Sequence, residues 1–463
     1  MQDPGGNMRV VMKIGGGILR DKSSFERVVS IVREKSKKKD EVVIVVSALY
    51  GVTDFLIDSI PKCIHSQKAV VNTVSSLKKM HESYLSGIQD EEVKNRALFL
   101  LSEKFSVLEK FLFGVHFLKE VSPRSKDMIQ SFGEQLSPLV LEAFLKDNLV
   151  EAKFVDAKEA GIYCTGFFEN ATVNLKKTSV HLNKKIVPLL GKMVVLLPGY
   201  YGIDENGDVK TFGRGGTDYS AGFIANALDA QVEIWKDVCG FMTADPKIVP
   251  RARQLDFLSY EEAEELGYIG AKILHPKTIE PLRLKKIPAE IKSIFEPHKK
   301  GTIIGNWKRK APSVVKSIAA KKDVAVITVS SGTKVNTPGF DALVLSRIGE
   351  CNVVVEMIAT SETSLSFAVE SKHLQKSVMA LNEIKKTMQF ELSSQKNLSL
   401  VGVVGEGMKG TPGTLGKLLR ALERKKIGVE LVSLGALGIN ATFIVKKKNL
   451  EKTIKTVHRE FIS

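Results

Sequence analysis

The sequence predicts an α/β protein: a mainly parallel open sheet sandwiched by helices, followed by two small α+β units. Three observations predict it. RVVMKIGGGILRD (9–21) reads as a β-branched strand, a glycine loop and a helix start. EVVIVVSAL (41–49) follows as a second apolar strand, and neither run shows the polar alternation of a half-solvated sheet. In the C-terminal part, TPGFDALVLSRIGECNVVVEMI (337–358) and TPGTLGKLLRALERKKIGVELV (411–432) align without gaps.

Taken in order, Ser23 and Glu26 have the spacing of a capping box, and Phe25, Val28, Val29 and Val32 continue at helical spacing. Residues 54–150 are helical in pattern. VEAKFVDA (150–157) and KMVVLLPGYYG (192–202) restore strands, and NALDAQVEIWKDVCG (226–240) ends a helix and adds another. Ser259 and Glu262 form a second capping-box pair, and Pro276 suits the first position of a further helix. The Gly-, Pro- and Lys-rich stretch 296–315 marks a domain boundary. Each repeat then gives a TPG helix start, an amphipathic helix and a strand containing Val-Glu (Val355-Glu356, Val429-Glu430), with one strand before and another after.

With 43% apolar and 26% charged residues over 463, the chain is of globular composition. No apolar run is long enough to span a bilayer, and the N-terminus lacks the pattern of a secretory signal. Cys63, Cys164, Cys239 and Cys351 form no CxxC pair, which argues against zinc and a disulfide framework and suits a reducing cytoplasm. The net charge of +16 comes from scattered lysines without an aromatic-rich stripe, so we expect neither a nucleic-acid nor a membrane partner.

Several short motifs carry possible chemistry. KIGGG (13–17) joins a strand to a helix, where backbone amides can hold phosphate; it is neither a Walker loop nor a GxGxxG fingerprint. SFGEQLS (131–137) carries Glu134, and FGRGGTD (212–218) sets Arg214 among glycines before Asp218. KDVCGFMTADPKIVP (236–250) carries Asp237 and Asp245, and GAKILHP (270–276) carries Lys272. Each alone fits a turn or a solvated charge about as well.

In this order and combination, with VVSALYGVTD (45–54), FGRGGTDYSA, SYEEAEELGYIGAKILHP and the two repeats, the chain resembles the aspartate kinases of the amino-acid kinase family. The resemblance runs from Met8 to Ser463. It implies an amino-acid kinase fold over 8–306 and two ferredoxin-like ACT domains, 323–395 and 396–463, the second completed by the strand near 314–320. It implies phosphorylation of the L-aspartate β-carboxylate by ATP with Mg2+, the first step of lysine, threonine and methionine biosynthesis. It also implies a homodimer or higher homo-oligomer controlled by an amino-acid effector.

Residue by residue, the resemblance implies catalytic roles for Lys13, Lys272 and Asp218. It assigns the amino-acid substrate to Ser47, Glu134, Arg214, Gly215, Gly216 and Thr217. The nucleotide falls to Gly15, Gly16, Gly17, Lys236, Asp237, Met242, Asp245 and Lys272. The effector falls to Asn336, Phe340, Asp341, Glu356, Ser361 and Glu362, and no protein-bound metal is implied. The chain departs from the family at Gly17-Ile18, which replace a Thr-Ser pair, at Lys236 in place of threonine, at Gln135 in place of arginine, and at Met242. A related kinase acting on another carboxylate, phosphate or carbamate, and a catalytically weak amino-acid sensor, are the alternatives.

Overall fold

The computed structural model describes residues 8–271, 273–306, 314–331, 338–386 and 388–462. Lys272 and Asn336 lie outside the described residues. The chain divides into two compact units that interleave in sequence. The first holds the chain through Gly240, Asp256–Tyr260 and the run from Leu274; the second holds Phe241–Leu255, Glu261–Ile273 and the C-terminal part.

The first unit is built on an eight-stranded sheet. From one edge to the other its strands are Phe257–Ser259, Thr302–Gly305, Ala289–Ser293, Gln231–Lys236, Arg9–Ile14, Glu41–Val46, Val194–Pro198 and Ala152–Phe154. Ala289–Ser293 and Thr302–Gly305 pair antiparallel, and the other neighbours are parallel. Val10, Val11, Met12, Val43, Ile44 and Val45 are fully buried, as an apolar run covered on both faces requires. Four helices cover 52–147: Val52–His65, Gln67–Leu85, Glu91–Leu118 and Pro123–Asp147.

The first helix, Lys22–Lys37, corrects the sequence reading. Its cap is Asp21, not Ser23. The Asp21 carboxylate accepts the Ser24 N–H at 2.9 Å and both neighbouring serine hydroxyls at 2.8 Å. A charged acceptor at the positive end of the helix outcompetes a hydroxyl two positions later.

The second unit has one six-stranded sheet, ordered Met357–Thr360, Ser364–Glu370, Ser317–Ser330, Glu391–Val404, Asn440–Lys446 and Leu431–Leu434. The two central strands are 14 residues each and serve both repeats. Ser317–Lys321 pairs with Leu400–Val404, while Val324–Ser330 pairs with Ser364–Glu370. Between them the register breaks at Lys321/Val324, where Asp323 turns to φ +58°. The Val-Glu pairs lie just before the short strands rather than in them, because those strands start at Met357 and Leu431. Each glutamate still donates one backbone bond to the sheet, Glu356 to Ala368 and Glu430 to Ile444, both at 2.8 Å.

The segment 241–255 is part of this unit's interior. Ala244, Ile248 and Val249 pack in one apolar cluster with Leu418, Leu422, Phe443 and Val457. Glu262, fully buried, takes the Lys316 ammonium at 2.6 Å and the Glu406 N–H at 2.8 Å. A buried charge satisfied on both oxygens is tolerated where a lone one is not. Among the described residues no helix is long and apolar enough to cross a membrane.

Candidate active site

The carboxyl ends of parallel strands are where an open α/β sheet leaves a crevice for ligands. Lys13 stands one residue before the end of its strand, and Lys236 closes the strand beside it. Asp218, in the first turn of the helix Gly216–Leu228, reaches both. Its oxygens lie 2.6 Å from the Lys13 ammonium and 3.3 Å from that of Lys236. Burial pushes the Asp218 carboxyl up, but the two ammonium groups overcome this and hold it at about 2. Burial pulls Lys13 below the usual lysine range, and Asp218 opposes the shift.

Beside Lys13 and Asp218 lies a cavity of 520 Å³. It is lined by Lys13, Ser47, Glu134, Arg214, Gly215, Gly216, Thr217 and Asp218, so those eight sequence-assigned residues meet in one place. An adjoining 280 Å³ hollow is lined by Gly16 and Gly17 together with Ser47, Tyr50 and Glu134. Gly15 lies against the Lys13 side chain; a Cβ there would come 3.0 Å from Nζ.

Glu134 sits midway along Pro123–Asp147 and is 4% exposed. Its Oε2 is buried with no hydrogen-bond partner among the described residues. Burial pushes its carboxyl up to about 8, against the lowering effect of the Ala48 and Glu134 backbone amides and of Lys13. Arg214 is the opposite case: exposed at the cavity, with no hydrogen-bond or ion-pair partner among the described residues.

The glycines around Arg214 have two causes. Gly213 and Gly215 take φ +72° and +73°, where other residues are strained. A Cβ on Gly215 would also meet His275 at 2.3 Å. Gly215→Ala is therefore expected to cost about 1–3 kcal/mol of stability and to displace Arg214. A lowered thermal midpoint together with a raised amino-acid requirement checks it.

Other residues fall elsewhere. Asp237 continues the loop after Lys236. Met242 and Asp245 belong to the second compact unit, and the Asp245 carboxylate accepts the Lys247 N–H at 2.9 Å in a local turn. Of the effector residues, Phe340 is 3% exposed and packs in the core against Phe390, because it opens its helix on the inward side. Glu356 is already ion-paired with Lys321 at 2.7 Å. Asp341 takes a hydrogen bond from Thr360 at 3.3 Å, beside the exposed Ser361 and Glu362.

Sequence reasoning missed Thr53, Asp54, Lys126, Gln130, Glu169 and Tyr200, which also line the cavity. Gln130 precedes Glu134 by one helical turn, a signal that was available. Glu169, in contrast, comes from a loop between two-residue strands. Among the described residues no group of three or more His, Cys, Asp or Glu side chains could hold a metal ion. Asp218, facing two ammonium groups, is engaged by cations already present.

A model of the amino acid kinase family matches residues 8–293, and one of the ACT domain matches 327–384 and 401–461. The chain belongs to the amino acid kinase family, and within it to the aspartokinases that carry ACT domains. It is 30% identical to Aspartokinase 3, chloroplastic, of Arabidopsis thaliana, over 97% of this chain and 81% of that one. It is 29% identical to an aspartokinase of Saccharomyces cerevisiae, over 84% and 81%. Its fold matches E. coli aspartokinase III in complex with aspartate and ADP, with a TM-score of 0.82 at 24% identity over 97% and 99%. It also matches the aspartate kinase of Clostridium acetobutylicum, with a TM-score of 0.73 at 26% identity over 98% and 99%.

Proposed function

We propose that this chain transfers the γ-phosphoryl group of ATP to the β-carboxylate of L-aspartate, giving 4-phospho-L-aspartate and ADP. The observation that carries the reading is one cavity holding an arginine and a buried carboxyl oxygen that have no partner among the described residues, and a lysine ammonium fixed by an aspartate. Arg214 takes the substrate α-carboxylate with its fork of donors. Glu134 takes the ammonium, which supplies the partner its Oε2 lacks. The β-carboxylate oxygen then bonds to the γ-phosphorus as the bond to the ADP oxygen breaks.

No general base is required, since the attacking carboxylate is ionised at neutral pH. The obstacle is the meeting of two anions, and Lys13 and Lys236 neutralise it. Lys272 is proposed as a further cation at the transferring group. Magnesium carried by the nucleotide's phosphates would supply further charge neutralisation there. The loop 15–17 and Asp237, Met242 and Asp245 are proposed for the nucleotide, and an effector amino acid for the first repeat near Asp341, Ser361 and Glu362. A homodimer and a cytoplasmic location complete the proposal. The test is ADP formation with aspartate, glutamate or no amino acid, repeated with lysine, threonine or methionine added; turnover that ignores aspartate refutes the reading.

Glu134 gives this site a pH dependence. Its folded pKa of about 8 leaves it neutral below that pH, and only the ionised form pairs with an ammonium. Binding below pH 8 therefore expels a proton, and the aspartate KM should fall as pH rises from 6 to 8, by up to about tenfold per unit. Glu134→Gln should flatten this slope. A wild-type slope unchanged in that variant would assign the proton to another group.

A further inference from the structure

Tyr200 follows the strand Val194–Pro198 with φ +72°, a backbone that side chains of its size seldom adopt and that persists only where the surroundings fix it. Here they do. Its N–H donates to the Ser220 hydroxyl at 3.1 Å, and its carbonyl accepts the Phe212 N–H at 2.7 Å. The Gly216 backbone lies against its ring, where a Cβ would come within 2.8 Å of Cδ2. At the far end, its hydroxyl donates to Gln130 Oε1 at 2.8 Å. With that oxygen turned to the tyrosine proton, the Gln130 N–H donors point away from Tyr200.

Tyr200 thus ties the helix carrying Glu134 to the loop carrying Arg214, and both it and Gln130 line the cavity. We propose that the Tyr200–Gln130 pair is the specificity element of the amino-acid cavity: it fixes the spacing between the ammonium-holding helix and the carboxylate-holding loop, and so selects aspartate over the homologue one methylene longer. The inference rests on the aspartate-kinase reading and adds to it what sets substrate length.

The test compares kcat/KM for aspartate and for glutamate in each variant. Tyr200→Gly retains a residue at ease at positive φ, so the turn survives. Its glutamate-to-aspartate ratio should rise by about tenfold or more, the scale of one-methylene discrimination. Gln130→Ala, which leaves the turn untouched, should shift the ratio in the same direction. Tyr200→Phe loses only the hydroxyl and should lower aspartate kcat/KM about fivefold with the ATP KM unchanged. An unchanged ratio in both Tyr200→Gly and Gln130→Ala overturns the proposal. So does a parallel loss of both activities in those two variants, which is what a merely structural role gives. Wild-type protein with no aspartate-dependent ADP formation refutes the kinase reading instead, whatever the ratios.

Discussion

Lys13→Ala is expected to lower turnover by about two to three orders of magnitude, on the order of 3–4 kcal/mol of transition-state stabilisation. The Lys13 ammonium is nearly inaccessible and held 2.6 Å from Asp218, so it is already in place when charge builds on the transferring group. Because the Lys13–Asp218 pair is buried, its field is weakly screened. The fold should tolerate the change, because Asp218 keeps Lys236 as a partner at 3.3 Å. The apparent affinity for aspartate should change far less than kcat. Near-normal turnover would remove Lys13 from the chemistry and leave it a buried structural charge.

Arg214→Ala should act on binding and not on turnover. Loss of a two-point, charge-assisted contact costs about 2–4 kcal/mol, or roughly 30- to 1000-fold in the aspartate requirement. Because Arg214 is exposed and without a hydrogen-bond or ion-pair partner among the described residues, its removal should leave stability within about 0.5 kcal/mol. The ATP requirement should stay within about threefold of wild type. Equal damage to both substrates would move Arg214 out of the amino-acid subsite. The two variants therefore separate in opposite ways, one in kcat and the other in KM.

Much of this site was legible because its residues announce themselves locally. An arginine flanked by glycines at positive φ, a carboxyl in a helix of otherwise buried residues, and a lysine at the end of an apolar strand are all visible in short stretches. The central sheet was legible for the same reason: strands such as Glu41–Val46 carry no polar residue past the first.

What was not legible is what depends on distant neighbours. Lys236 meets Asp218 only because its strand pairs with Arg9–Ile14, a segment more than 200 residues earlier. Tyr200 reads as a strand residue until its turn, its hydroxyl partner and the Gly216 backbone are known together. The place of 241–255 in the second unit follows from apolar contacts with Leu418, Phe443 and Val457, which no local pattern signals. Where competing local signals existed, as at Asp21 and Ser23, the stronger acceptor won.

The most direct measurement is to run the reaction with ATP, aspartate and hydroxylamine, which converts an acyl phosphate to a stable hydroxamate. Hydroxamate equal in amount to the ADP formed, and absent without aspartate, is the expected result. ADP released without hydroxamate, or at the same rate with no aspartate present, would contradict transfer to a carboxylate in this cavity.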